Sequence, residues 1–213
     1  MMYDLSRPIL SGMPVYPGDP PVQVKPLSFP PWQISELHMG SHSGTHLDAP
    51  RHRFATGVGI DDITPDRLIG PGIVIDVGGY PANAELGPSV LAGYKLRPGM
   101  AVLFRTGWEV YWERDEYARH PYIGAALAEA LVQREVRLVG IDAFSVDSTV
   151  AGGDAAHTLL LRNNILIVEN LCHLANLELG VIYTVACFPL LIVGGDGAPA
   201  RVLAWRATGF DPS

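Results

Sequence analysis

The chain has 213 residues, 48% of them hydrophobic, enough to bury one substantial core and most simply read as a single domain over residues 1–213. A formal charge of −7 and a pI near 5.4 argue against a general nucleic-acid partner, and no basic run reverses that. No apolar stretch approaches the length that spans a bilayer, and Met1-Met2-Tyr3-Asp4-Leu5-Ser6 lacks the regions of a secretory signal, so a cytoplasmic protein is expected.

In chain order, the first thirty or so residues carry Pro8, Pro14, Pro17, Pro20, Pro21, Pro26, Pro30 and Pro31, which favour short strands and tight turns over a helix. Gln33 to Met39 reads as a strand leading into a histidine-rich segment. Ile73-Val-Ile-Asp-Val77 and Met100-Ala-Val-Leu-Phe104 are short apolar runs bounded by Gly and Pro, the pattern of buried strands. Tyr122 to Gln133 is rich in alanine and leucine and predicts a helix, followed by a strand at Leu138-Val-Gly-Ile141. Asp154 to Arg162 predicts a short helix with Asp154 as its N-cap, and Ile165-Leu-Ile-Val-Glu169 a buried strand. Tyr183 to Val193 and Arg201 to Trp205 suggest a closing β pair around the turn Gly194-Gly-Asp-Gly197. These elements imply one α/β domain built on a mixed sheet with flanking helices. Cys172 and Cys187 sit among apolar residues and form no Cys-x-x-Cys pair, which favours buried free thiols.

Chemistry concentrates in His42-Ser-Gly-Thr-His46-Leu-Asp48-Ala-Pro50-Arg-His52, where three imidazoles and a carboxylate fall within eleven residues of a chain with seven histidines. Two histidines and an aspartate form a ligand set suited to zinc, manganese or iron, and a further histidine beside them is placed to move protons. His42, His46, Asp48 and His52 are all even-numbered, so an extended backbone directs them to one face, while Gly44 and Pro50 oppose a continuous helix. A histidine-rich surface loop without ligand is the alternative. His157 lies in the short helix, and Glu169 ends an apolar strand, where a carboxylate is costly unless paired, hydrogen-bonded or bound to a cation. A helix-surface histidine and a sheet-edge ion pair are the structural alternatives for these two. His38, His120 and His173 lack such company and read as structural.

The segment resembles the His-x-Gly-Thr-His-x-Asp-x-Pro-x-His signature of the cyclase family of metal-dependent hydrolases, to which bacterial kynurenine formamidase and isatin hydrolase belong, and matches all seven fixed positions. Met13-Pro-Val-Tyr-Pro-Gly-Asp19 is similar to the family's N-terminal substrate loop, Val139 to Asp147 to a later strand-and-turn motif, and His157 to Leu171 to its His…Glu-Asn-Leu segment. The resemblance implies metal ligands at His42, His46 and Asp48, with His52 as proton donor and acceptor. It implies that His157 and Glu169, twelve residues apart, complete a two-zinc site. It also implies a swivelling β/β/α fold and a homodimer or homotetramer.

One departure matters: this chain has Tyr16, the candidate substrate-binding residue, where the formamidases carry a Trp in the N-terminal substrate loop. The isatin-hydrolysing branch uses an amide residue with a single manganese where this chain has Glu169, which leans toward the formamidase-like site. The expectation is therefore a metal-dependent amide hydrolase holding one or two Zn2+, with Mn2+ as the alternative ion. N-formyl-L-kynurenine or a related small aryl formamide is the leading substrate. An isatin hydrolase-like or other cyclic amide or lactone hydrolase is the second reading, and a non-catalytic metal-binding domain the third. Phe29 and Trp32 are further candidates for the substrate pocket. A serine hydrolase using Ser43 or Ser145 is disfavoured because no Gly-x-Ser-x-Gly elbow exists, and the Gly194–Gly197 turn lacks the Lys-Ser/Thr of a phosphate loop.

Overall fold

The structure, a computed structural model, describes residues 1–206. Its twelve strands are β1 (Met2–Asp4), β2 (Gln23–Phe29), β3 (Trp32–His38), β4 (His46–Asp48), β5 (Ile69–Asp76), β6 (Glu85–Leu86), β7 (Ala101–Arg105), β8 (Tyr122–Ile123), β9 (Leu138–Ile141), β10 (Leu166–Glu169), β11 (Tyr183–Pro189) and β12 (Gly197–Arg206). Two α-helices, α1 (Ala125–Gln133) and α2 (Ala155–Arg162), are joined to them by short 3₁₀ turns.

Seven strands close on themselves in the order β12-β11-β5-β7-β9-β10-β4, with β4 returning to pair with β12 and β1 adding to the same edge of β12. The sheet is mixed, as expected. β5, β7, β9 and β10 run parallel, and the remaining pairings of the sheet are antiparallel. Parallel neighbours need a crossover. α1 supplies one between β7 and β9, and α2 supplies one between β9 and β10.

Alternation along the strands divides the core in two. On β7, Ala101 and Leu103 point into the barrel beside Leu47, Val168 and Val185, whereas Val102 and Phe104 point outward beneath the helices. β10 repeats the division, with Leu166 and Val168 inside and Ile167 against Leu127, Leu160 and Leu161 outside. Strands buried on both faces read as continuous apolar runs, which is why Ile73–Val77 and Met100–Phe104 were legible.

Several expectations shift. The expected helix at Tyr122–Gln133 begins only at Ala125, because Tyr122 and Ile123 pair in parallel with Glu85 and Leu86. β11 stops at Pro189, leaving Leu190–Val193 as an exposed loop before β12. β2 and β3 form a separate two-stranded hairpin, on which Phe29 and Trp32 face each other and are solvent-exposed. Both lie outside the cleft described below, so neither contributes to the pocket of this chain. Cys172 and Cys187 are buried free thiols, and no helix among the described residues is long and apolar enough to cross a membrane.

Candidate metal centre and cleft

β4 is three residues long, yet it is the seam of the barrel. Asp48 lies opposite Ile167 on one side and Gly197 on the other, and His46 lies opposite Glu169. Because Leu47 points into the barrel, His46 and Asp48 must point out, to the side where Glu169 also emerges. This register brings a carboxylate from residue 169 to a histidine from residue 46: His46 Nε2 is 3.4 Å from Glu169 Oε2 and 3.3 Å from Asp48 Oδ1.

The extended-face expectation for the whole signature does not hold. Only His46–Asp48 is strand; His42 lies in a turn, and Pro50–His52 forms a 3₁₀ turn. The residues converge for other reasons. Gly44 adopts φ +65°, the left-handed conformation that a side chain resists, and its carbonyl accepts from His46 Nδ1 at 2.8 Å and Asn170 Nδ2 at 3.1 Å. Thr45 Oγ1 donates to the Asn170 carbonyl at 2.6 Å, pinning the turn to the end of β10. Pro50, with its fixed φ and missing N–H, starts the 3₁₀ turn that swings His52 back, so that the His42 and His52 rings lie 4.0 Å apart.

His157 comes from the first turn of α2. Its Nδ1 lies 2.7 Å from Asp147 Oδ2, so the Nδ1–H donates there and leaves Nε2 aimed at Asp48 Oδ2 (3.6 Å) and Glu169 Oε1 (3.5 Å). The expected N-cap, Asp154, makes no side-chain cap bond; its carboxylate pairs with Arg53 at 2.7 Å. Asp147 takes that role from outside the helix, accepting from the backbone N–H of Ala156 (2.9 Å) and His157 (3.0 Å). One carboxylate thus caps α2 and orients its histidine.

The signature missed a further participant, Asp196 of the Gly-rich turn, whose Oδ2 is 2.9 Å from His42 Nε2 and 3.3 Å from His52 Nδ1. Although partial burial opposes it, the hydrogen bonds from His42 and His52 hold this carboxyl at about 2. An acidic residue between glycines at a strand start was its sequence signal, and turn geometry alone explained it equally well. His120 and His173 are structural, as expected: the buried His120 meets Thr149 Oγ1 and the Pro121 carbonyl, and His173 Nδ1 the Asp4 carbonyl. His38 is exposed on the hairpin.

Electrostatically the cluster calls for positive charge. Burial pushes His46 down, but the Asp48 and Glu169 carboxylates outweigh it and hold the imidazole at about 10; His157 is likewise raised, by Asp147, Asp48 and Glu169. Asp48 is fully buried and still lies well below its ordinary range, because His46, His157 and His42 overcome the desolvation. Its Oδ2 is buried without a hydrogen-bond partner, the costly state that a cation relieves. Donors about 2.0–2.2 Å from one ion at tetrahedral angles stand roughly 3.4 Å apart. The His46, His157, Asp48 and Glu169 contacts of 3.3–3.6 Å match that spacing and are too long for good hydrogen bonds. Among the described residues three candidate ligand triplets result: His42–His46–Asp48 and Asp48–His157–Glu169, which share Asp48, and His42–His52–Asp196, which shares His42 with the first. The residues present therefore fit one or two divalent ions.

Above the cluster opens a cleft of about 520 Å3, in the size range of small-ligand sites. Tyr16, Pro17, Gly18 and Asp19 form one wall and Phe144 another, with the Tyr16 and Phe144 rings edge-on at 6.3 Å. His52 and His157 line it, and the Arg53–Asp154 pair crosses its rim. Of the residues singled out from the sequence, His42, His46, Asp48, His52, His157, Glu169 and Tyr16 all meet around this cleft.

Fold and site together define a closed mixed barrel that carries a histidine–carboxylate cluster at the floor of an aromatic-walled cleft. The chain belongs to the cyclase family, whose model, described as putative cyclase, matches residues 3–148. It is 34% identical over 208 residues to kynurenine formamidase from Salinibacter ruber, covering 95% of this chain and 96% of that one. Among solved structures, one titled as a potential metal-dependent hydrolase with cyclase activity aligns at TM-score 0.82 with 30% identity, covering 98% of both chains. Isatin hydrolase A from Ralstonia solanacearum aligns at TM-score 0.88 with 24% identity, covering 97% of this chain and 92% of that one, a likeness of fold.

Proposed function

We propose that this protein is a metal-dependent amide hydrolase that cleaves N-formyl-L-kynurenine or a related small aryl formamide. The observation that carries this reading is the cluster of His42, His46, Asp48, His157 and Glu169, spaced for a divalent cation, at the base of a cleft walled by Tyr16 and Phe144. Its counterpart in the comparisons is kynurenine formamidase, matched over nearly the whole chain. Zn2+, as one or two ions, is the proposed metal, supported by an imidazole-rich donor set; Mn2+ is the alternative. A divalent cation bound there acidifies a water and polarises the scissile carbonyl.

The chain's own groups supply the rest. His52 borders the ligand set, and an imidazole nitrogen that can both take up and give back a proton suits both steps. It accepts the proton of the attacking water and returns it to the departing amine nitrogen, so that amide and water become carboxylic acid and amine, the acid then ionising to carboxylate with its proton passing to solvent. The Tyr16 and Phe144 rings offer aromatic faces to an aryl substrate and keep water from its ring. Hydrolysis of a cyclic amide such as isatin, or of a lactone, is the second reading. Tyr16 keeps it open, since a phenol removes area and adds a hydroxyl where the formamidases carry Trp.

The same reading takes residues 1–213 as one cyclase-like domain of the swivelling β/β/α type, supported by β12 and β4 closing a single barrel from opposite ends of the chain. It includes a homodimer or homotetramer, supported by Phe29, Trp32 and Ile34 lying exposed on one face of the hairpin. A cytoplasmic setting is supported by two buried free thiols.

The deciding experiment assays the zinc-loaded and chelated protein against aryl formamides, isatin and lactones, alongside the His52→Ala variant. Zinc-dependent formamide hydrolysis is expected, with His52→Ala keeping its metal and losing about a hundredfold or more in kcat. Full metal occupancy without turnover of any amide or lactone would favour a binding domain. Undiminished turnover in His52→Ala would remove its proton-transfer role.

A further inference from the structure

Asp196 stands outside the signature and outside the two ligand triplets that share Asp48; it forms the third group with His42 and His52, and one of its oxygens meets both rings. Oδ2 is 2.9 Å from Nε2 of His42 and 3.3 Å from Nδ1 of His52, so a single carboxylate oxygen faces opposite kinds of ring nitrogen. A carboxylate can only accept, so each ring must present an N–H to it. That requirement fixes the tautomer of His52 and the orientation of the His42 ring. His42 meets a carboxylate on each nitrogen, Asp196 at Nε2 and Asp48 Oδ1 at Nδ1, 2.8 Å away, so without a metal it presents N–H to both and is held in orientation rather than in one tautomer. His52 keeps its proton on Nδ1 and leaves Nε2, on the far edge of the ring, for the cleft that it lines.

The backbone holds Asp196 in place for this. Its carbonyl accepts the Ala49 N–H at 2.9 Å, immediately after β4, and the neighbouring Gly195 N–H donates to the Ile192 carbonyl at 3.0 Å. Gly197 follows, and any side chain there would collide with the His42 ring. The Gly-rich turn is therefore built to bring one carboxylate up to the rings without obstructing them. Outer carboxylates that hold the second nitrogen of a ligand histidine fix its orientation.

We propose that Asp196 is a positioning residue that fixes the tautomer of His52 and the orientation of the His42 ring together, aiming the first at the substrate and the second at the ligand cluster. The proposal rests on the proposed hydrolase reading for His52, but its tautomer half does not need substrate. Nitrogen–proton correlation spectra of the imidazoles in the metal-free wild type are expected to show a proton on His52 Nδ1. In Asp196→Ala that signature shifts toward the Nε2–H form, which predominates in free imidazole side chains. Asp196→Asn, oriented with its carbonyl oxygen toward the rings, restores part of it.

With aryl formamide as substrate, Asp196→Ala is expected to lower kcat about tenfold or more while KM changes less than twofold. Zinc affinity, measured by chelator competition, is expected to fall about 10–100-fold. Added to His52→Ala, the same substitution is expected to cost little further kcat, because the ring it aims is gone. An unchanged His52 tautomer with wild-type zinc affinity in a folded Asp196→Ala protein would overturn the proposal, as would full additivity with His52→Ala in kcat. If the wild type hydrolyses no amide, the functional reading fails by itself while spectra and zinc competition still decide the role of Asp196.

Discussion

A Cβ at position 197 would stand 2.5 Å from Cε1 and 3.0 Å from Nδ1 of His42, so the absence of a side chain there is what lets the ring approach the start of β12. Gly197 is not in a left-handed conformation; it is required by close approach. Gly197→Ala must therefore displace His42, the ring that meets Asp48 on one nitrogen and Asp196 on the other. The expected outcome is a zinc affinity reduced about tenfold with the fold retained, checked by chelator competition alongside circular dichroism. Wild-type affinity in that variant would show that His42 does not need this seat. Gly44 presents the other case, where φ of +65° and a carbonyl shared by His46 and Asn170 fix the turn that leads into β4.

At the scale of elements, α2 shows how one group couples helix formation to the site. Two of its leading N–H groups, those of Ala156 and His157, reach Asp147 rather than the local cap residue, and the His157 ring donates to the same carboxylate. Removing Asp147 costs the cap and the orientation at once. Asp147→Ala is expected to destabilise the protein by about 1–2 kcal/mol and to weaken zinc about 10–100-fold, measured by denaturant unfolding and metal titration. Asp154→Ala serves as the contrast, since it loses only an exposed ion pair with Arg53 and should change stability by less than about 1 kcal/mol. If Asp154→Ala were the more damaging of the two, the cap would be assigned to the wrong aspartate. β4 makes the complementary point: three residues suffice as a strand because neighbours on both sides supply their hydrogen-bond partners.

For the whole molecule, the cluster lies where the chain's halves meet. β4 from the first quarter, α2 and β10 from about three quarters of the way along and the turn into β12 near the end all contribute, so an ion bound there would cross-link the barrel closure. Zinc at a hundredfold excess over its Kd should add about 2.7 kcal/mol to the folded state, which for a domain of this size raises Tm by roughly 5–10 °C. Scanning calorimetry with chelator and with zinc checks this. An identical Tm under both conditions would mean that no ion binds the folded state selectively. Magnesium, which dehydrates reluctantly and prefers all-oxygen sites, should give a much smaller shift.

The apolar strands, the two helices to within a few residues and the ligand-rich signature are legible in the amino-acid order, because each is a local pattern: alternation, periodicity and clustered imidazoles. His157 and Glu169 stood out as well, the latter because a carboxylate ending an apolar strand demands a partner. Tertiary structure alone decided how these residues meet. The even spacing of His42, His46, Asp48 and His52 suggested one extended face, whereas convergence actually comes from a turn, a three-residue strand and a 3₁₀ turn. Asp196 and Asp147 lay beyond reach for the same reason. Their value comes from a hydrogen-bond distance to residues 154 and 10 positions away, respectively, set by barrel closure and by the loop before α2, and no local pattern records such distances.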